Sequence, residues 1–268
     1  RTAENIAASI HSNVSGDSVL SDVKSALHEL IAARKVRLHE GQYRIPTPAE
    51  DDWEVTRGSI QATPGDINRL HTSVVSGLWE PKPSHNLEDP KTFKAGLSFN
   101  GRSVVEQDIR FNVTFAEAGD AAARGKDARS RSQIDRKEIF WVVSVDEHID
   151  RATEDVHRST EMLARKERSA KTKGETALVS EEKVRLRRRE GELKGLIRDA
   201  MLAGAIYFRG NDRSPDDTVD TITKAASRVL SHVLPDVYTS FAEGAARVSG
   251  KDLDSLLSNE NLRGLTSV

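Results

Sequence analysis

The stretch closest to a phosphate-binding loop is Gly119-Asp-Ala-Ala-Ala-Arg-Gly125-Lys126-Asp127. A working loop has four residues between its glycines and a Ser or Thr after the lysine, set between a strand and a helix. Here five residues separate the glycines, and Asp127 would repel phosphate where a hydroxyl should reach magnesium. The residues beyond it are Ala, Arg, Ser and Asp with almost nothing to bury, so Gly119–Arg136 reads as a mobile loop.

Metal and nucleophile chemistry fare no better. The histidines are His11, His28, His39, His71, His85, His148, His157 and His232, and none stands in an H-E-x-x-H spacing. Glu147-His148 comes nearest, but Asp155 and His157 lie too far along to share its face. There is no G-x-S-x-G elbow, and no cysteine supplies a thiolate, a disulfide or a zinc ligand. Asp51-Asp52 and Asp216-Asp217 stand beside helix starts, where the helix dipole accounts for them without catalysis. Asn13-Val-Ser and Asn112-Val-Thr match a glycosylation triplet by chance. The expectation is a chain with no catalytic residue, no metal and no cofactor.

Two basic groups could hold a phosphate backbone. Lys24, His28, Arg34, Lys35, Arg37 and Arg44 fall on or beside a helix and a hairpin near the N-terminus, against Asp22, Glu29 and Glu40 on the same elements. Such a face predicts weak, salt-sensitive, sequence-independent contact with double-stranded DNA rather than base reading. Farther along, Lys183-Val-Arg-Leu-Arg-Arg-Arg189 offers Arg187, Arg188 and Arg189 to phosphate or to an acidic partner. The plain alternative for that run is a solvated helix face.

Periodicity gives the elements that must position these groups. Residues 1–46 read as three helices and a two-stranded wing, the winged-helix pattern. Ile6, Ile10 and Val14 mark the first helix, ended by Gly16-Asp17. Val19 and Leu20 mark a short second helix with a turn at Ser21-Asp22, and Val23, Leu27, Leu30 and Ile31 a longer third. Val36 to Ile45 alternates, with Val36, Leu38, Tyr43 and Ile45 on one face, Arg37, His39 and Arg44 on the other, and Glu40-Gly41 at the turn. A helical connector spans 47–80. Thr47-Pro-Ala-Glu50 and Thr63-Pro-Gly-Asp66 each place Thr at the N-cap, Pro at the first helical position and an acid at the third. These helices should run to about Gln61 and Leu78, before Pro81, Pro83 and Pro90 mark a boundary.

A β-rich section over 91–145 opens the second domain. Phe93, Ala95, Leu97 and Phe99 alternate up to Asn100-Gly101, a strong hairpin signal. The returning strand is expected to carry Val105, Ile109, Phe111, Val113 and Phe115. Ile139–Val143 and Ala205–Phe208 are short and apolar enough to be central strands of the same unit. Over 146–203, Ile149, Val156 and Leu163, and then Val179, Leu186, Leu193 and Ala200, recur every seven residues across a break at Lys171–Thr176. That pattern predicts a long antiparallel helical hairpin. Its alternate seam positions Glu182 and Arg189 are polar, so its distal half, around Ala170–Leu178, is expected to be weakly packed and to protrude as an arm awaiting a partner. Residues 204–268 complete the second domain, with an amphipathic helix over Val219–Leu234 and a short one from Ser249 to Leu257. The fold class is α+β and predominantly α.

Composition bounds the partners. The chain of 268 residues carries 40 basic and 42 acidic residues, a net charge of −2, so bulk charge does not advertise nucleic acid and only a local patch could bind it. No apolar run approaches the ~18 residues of a membrane span, and no apolar stretch of secretory type follows the N-terminus. Cytoplasm is the expected compartment, with no membrane partner. The first residue is Arg1 rather than methionine, which leads us to expect a piece of a longer protein.

Several segments, in order, are similar to a known family. They are Glu138-Ile-Phe-Trp141 leading into a charged helical hairpin, Leu193 to Ala203, and Gly204-Ala-Ile-Tyr-Phe-Arg-Gly210. After them come Val233-Leu-Pro-Asp-Val-Tyr238 and Arg247-Val-Ser-Gly-Lys-Asp-Leu253. Placed after a winged helix, they resemble the large P-loop ATPase of the BREX and Pgl phage-defence systems, called BrxC or PglY. The resemblance implies a parent whose ATPase domain precedes this region, with other BREX components, a DNA methyltransferase among them, as partners. No Walker motif lies in these residues, so ATP binding attaches to none of them. The expected function is therefore a non-catalytic region serving assembly, self-association and DNA engagement. The alternative is a cytoplasmic winged-helix transcriptional regulator with a dimerising arm. A nucleotide hydrolase in its own right is the weakest of the three readings.

Overall fold

The computed structural model describes residues 1–10, 18–33, 35–39, 41–87, 91–214, 218–239 and 241. The first elements in chain order are α1 (Ala3–Ile10), α2 (Leu20–Ala32), β1 (Arg37–His39), β2 (Gln42–Arg44), α3 (Pro48–Ser59) and α4 (Pro64–Leu78). Then come β3 (Ser84–Leu87), β4 (Lys91–Phe99), β5 (Arg102–Val105), β6 (Ile109–Glu117), α5 (Ala121–Ile134) and β7 (Glu138–Val145). The chain continues with α6 (Glu147–Lys166), α7 (Lys173–Leu202), β8 (Ala205–Phe208), β9 (Asn211–Asp212) and α8 (Ile222–Val237). The fold is α+β. It divides into two compact units, each discontinuous: residues 1–68 with 151–192, and 69–150 with the described residues from 193 on. The expected boundaries at 46 and 80 and a separate 146–203 arm do not coincide with these units.

In the first unit, Ala3 and Ala7 of α1 pack on Val23 and Leu27 of α2, with Ile6, Val36 and Tyr43 at the margin. The small alanines, rather than Ile10, make the buried stripe. Ile10 is exposed. The expected break at Ser21-Asp22 does not occur: α2 starts at Leu20 and runs unbroken, because Asp22 sits in its first turn, where the dipole favours an acid. Among the described residues of 1–46, two helices and a hairpin therefore stand where three helices and a wing are expected. Val14, Gly16, Asp17, Arg34 and Glu40 lie outside the described residues, as do His11, Asn13, Pro90 and Asp216-Asp217. The hairpin pairs Arg37 with Arg44 and Leu38 with Tyr43, the expected parity. Arg1 adds a backbone pair beside it, its carbonyl accepting from the Tyr43 N–H at 2.7 Å.

The capping signals read as expected. The Thr47 hydroxyl accepts from the Glu50 N–H while the Glu50 carboxylate accepts from the Thr47 N–H, a reciprocal box. Thr63 and Asp66 repeat it at the start of α4, and Thr172 and Glu175 at the start of α7.

The larger correction concerns the helical hairpin. Its distal part is packed: Met162 and Leu163 of α6 and Leu178 and Val179 of α7 share a core with Trp53 and Ile60. α3 supplies the missing apolar surface, so a seam too narrow to hold two helices is closed by a third. Glu182 is buried at 1% exposure instead of weakening the seam.

The second unit is a mixed seven-stranded sheet in the order β3-β4-β6-β7-β8-β9, with β5 on β4. Asn100 and Gly101 turn the chain at positive φ, 46° and 80°. The return is shorter than expected. Only Arg102–Val105 pairs antiparallel with β4; the chain then reverses, and β6 lies parallel to β4 on the other edge, Leu97 opposite both Val105 and Phe111. Two features hold that reversal. The backbone of Val105 and Gln107 passes so close to Gly96 that a Cβ there would lie 2.8 Å from the Val105 oxygen. The Asp108 carboxylate also accepts from the Lys94 N–H. β7 joins parallel and β8 antiparallel, as central strands. Trp79, Phe111 and Trp141 pack together, Trp79 Nε1 donating to the Ala95 carbonyl and Trp141 Nε1 to that of Met201. α8 buries Ile222, Val229, Leu230, Val233 and Leu234 and runs through Pro235 to Val237, three residues past the expected stop. The helix expected from Ser249 lies outside the described residues, together with the segment Arg247–Leu253.

The stretch expected as a mobile loop is instead the helix α5. It buries Gly125, Ala128 and Ser132, a face of small residues that hydrophobic periodicity does not register. A Cβ at Gly125 would come within 3.2 Å of the Tyr207 hydroxyl, so glycine is what permits the approach. The Ser132 hydroxyl accepts from the Gly210 N–H, and Arg129 Nε donates to the Gly210 carbonyl. The residues resembling a phosphate loop thus serve helix-on-sheet packing.

Candidate functional site

The basic residues of the β1–β2 hairpin meet glutamates of α3. Arg44 lies 2.6 Å and Arg37 3.5 Å from the same oxygen of Glu50, while the other Glu50 oxygen closes the capping box. Glu54, one turn on, joins Arg37 at 3.3 Å to Arg185 of α7 at 3.0 Å. Arg185 also reaches Glu182 at 3.2 Å, and Glu182 accepts from Trp53 Nε1 at 3.0 Å and Arg57 Nε at 3.2 Å. Arg57 continues to Asp155 of α6, and Asp155 to Arg189. The result is an alternating relay, Arg44–Glu50–Arg37–Glu54–Arg185–Glu182–Arg57–Asp155–Arg189, through the hairpin and three helices of one unit.

Electrostatics keep the relay charged. Burial pushes the Glu50 carboxyl upward, but the Thr47 backbone N–H, Arg44, the Thr47 hydroxyl and Arg37 together hold it below the usual carboxylate range. Burial acts likewise on Glu182, and the Ser159 hydroxyl, the Trp53 indole, Arg185 and Arg57 overcome it. These groups work as structural ties.

Of the residues read as DNA contacts, Arg37 and Arg44 are therefore engaged inside the unit. Lys24 lies 3.8 Å from Glu4 at the surface, His28 and Lys35 are exposed, and Arg34 is outside the described residues. Arg187 and Arg188 are exposed or nearly so, whereas Arg189 is tied to Asp155 and Glu192. Glu50, Glu54, Arg57, Glu182 and Arg185 do not stand out in the sequence as site residues. Their signal lies in α3, where Glu50 and Glu54 fall four apart on one face and Trp53 and Arg57 four apart on the next.

What the hairpin leaves open is apolar. Leu38 is 54% exposed, Ile45 80%, Val55 62% and Val184 66%. A cleft of about 480 Å³ lies between Ile31, Val36, Leu38 and Val55, and another of about 530 Å³ between Leu38, Arg44, Val184 and Arg188. Leu38 borders both. Among the described residues no three His, Asp or Glu side chains converge as metal ligands, and no helix is long and apolar enough to cross a membrane. Comparison of the chain with protein-family models, curated proteins and solved structures returns no match.

One consequence concerns the hairpin arginines. Exchanging Arg37 and Arg44 for Ala is expected to lower stability by about 1–2 kcal/mol, because Glu50 loses both cations while staying buried. Affinity for duplex DNA, measured by fluorescence anisotropy on the folded variant, should stay within about twofold of the parent. A loss of affinity with unchanged stability would return these two residues to the DNA face.

Proposed function

We propose that the chain is a non-catalytic assembly region of a BREX- or Pgl-type phage-defence ATPase, in which the first unit holds a protein partner. The succession of segments that resemble BrxC and PglY supports this reading. The observation that carries it is the contrast in the hairpin: its cations are spent on Glu50 and Glu54, while Leu38 stays exposed between two clefts. Exposed apolar side chains around a concavity are a protein-contact signature, whereas a phosphate-binding wing keeps its cations free. The regulator alternative needs a free arm for dimerisation, and α3 already covers the α6–α7 seam.

The test is co-expression with the methyltransferase component of such a system, followed by size-exclusion chromatography. Leu38→Asp with Val184→Asp should abolish co-elution, since each places a charge on an apolar contact, and should leave the melting temperature within about 2 °C because both positions are exposed. Failure of the unaltered chain to co-elute, or co-elution indifferent to both substitutions, would count against the reading.

A further inference from the structure

We infer that α5, rather than the β1–β2 hairpin, is where the chain grips a nucleic-acid phosphate backbone. The inference rests on the DNA-engagement side of the phage-defence reading and gives it a location in the second unit. From Arg124 to Lys137 the sequence carries six cations, Arg124, Lys126, Arg129, Arg131, Arg136 and Lys137, and two acids, Asp127 and Asp135, in a chain whose net charge is −2. All eight side chains are exposed. In contrast to the hairpin arginines, Arg124, Lys126, Arg136 and Lys137 enter no ion pair among the described residues.

The helix is built to present them. Gly125, Ala128 and Ser132 set it close on the sheet, so its outer side is wholly solvent-facing. At 100° per residue Arg124 and Arg131 fall on one flank, seven residues or about 10 Å apart, and Lys126 and Arg129 on the other. Between the flanks the crest carries Ala123 and Ser130, small enough to enter a groove while the cations straddle it, together with Asp127 and, in the last turn, the exposed Ile134. Two members are braced: Arg131 stacks over the Phe140 ring, and Arg129 Nε holds the Gly210 carbonyl, so part of their ordering cost is met before any ligand arrives. Asp127 is the acid on this exposed face of the helix. A surface of this kind recognises phosphate without reading bases.

The experiment is a salt titration of binding to equal-length duplex DNA, single-stranded DNA and duplex RNA, with polyglutamate as a competitor. The intact chain should bind nucleic acid in the micromolar range at low salt. Arg124→Ala with Lys126→Ala should weaken it roughly tenfold and flatten the log K against log salt slope by about two, near 0.9 for each lost phosphate contact. Arg124→Glu with Lys126→Glu should abolish binding without unfolding α5, because both positions are exposed and Glu is a good helix former. Asp127→Asn should strengthen binding, an effect no loss of structure can imitate. The ranking of the three nucleic acids identifies the physiological source of the phosphates. If the α5 variants bind like the parent while Arg187→Ala with Arg188→Ala abolishes binding, the α5 assignment is wrong and DNA engagement stands elsewhere. If polyglutamate outcompetes every nucleic acid, α5 is an acidic-protein site. If the intact chain binds none of the three, the α5 inference and the DNA-engagement reading fall together.

Discussion

Glu182→Ala is expected to destabilise the first unit by about 2–4 kcal/mol. The carboxylate is 1% exposed and holds Trp53 Nε1, Arg57 Nε and Arg185 Nη1, with the Ser159 hydroxyl beside them. Removing it strands the Trp53 indole and leaves the Arg57 guanidinium with Asp155 as its one remaining acid, in a place water hardly reaches. The size of the loss comes from that stranding more than from the worth of the pairs themselves, which burial of the ions largely offsets. Against a typical domain stability of about 5–15 kcal/mol, the unit should be marginal. Glu182→Gln keeps an acceptor for the indole but not the charge, and should fall between. A Glu182→Leu, Arg57→Met double exchange should recover part of the loss, since Arg185 can still turn to Glu54. Denaturant unfolding reads this directly through Trp53, while Trp79 and Trp141 report the other unit. A Glu182→Ala loss under about 1 kcal/mol would mean that water replaces the carboxylate and the relay is decorative.

Glu182 also illustrates what the sequence could and could not show. The heptad spacing of Ile149, Val156 and Leu163 and of Val179, Leu186 and Leu193 was legible, because a repeated apolar position can have only one use on a helix. A glutamate at the seam is ambiguous: it is a defect if nothing covers it and an anchor if a tryptophan and an arginine do. The deciding residues, Trp53 and Arg57, lie more than a hundred positions away, and nothing local links them to it. The capping boxes at Thr47 and Thr63 were legible for the opposite reason, since their chemistry closes within three residues. α5 is illegible because its buried side chains are Gly125, Ala128 and Ser132, so apolar periodicity vanishes at the place where packing is tightest. The basic hairpin is legible as composition but not as direction: alternation puts Arg37 and Arg44 on one face, and only the position of α3 decides that this face looks inward. β5 and β6 read as one strand because Val105 and Ile109 share parity, while the reversal at Glu106–Asp108 depends on contacts with Gly96 and Lys94.

Acid should loosen the second unit as the pH falls from about 6.5 toward 4. His71 of α4 is 5% exposed, its ring 5.3 Å from that of Phe115 on β6, and burial lowers its pKa from 6.5 to about 4. In the unfolded chain the imidazole binds a proton near pH 6.5; in the folded one it resists until about pH 4. Between those values the unfolded state holds more protons, so stability rises with pH across the window. The contribution is fully present above about pH 6.5 and is lost as pH falls through the folded value, amounting to about 3 kcal/mol. Glu50 and Glu182 are shifted downward from an already acidic value, so their own losses come lower still and the two effects separate on the pH axis. Urea unfolding followed by Trp79 and Trp141 fluorescence at about pH 7.5, 6 and 4.5 should trace the slope. His71→Phe should flatten it whatever the exchange does to stability at neutral pH, and His71→Gln, which cannot charge either, should flatten it equally. A slope that persists in both variants would place the titrating group elsewhere. A flat slope in the unaltered chain would mean that the imidazole charges in place, with the helix yielding enough to admit water.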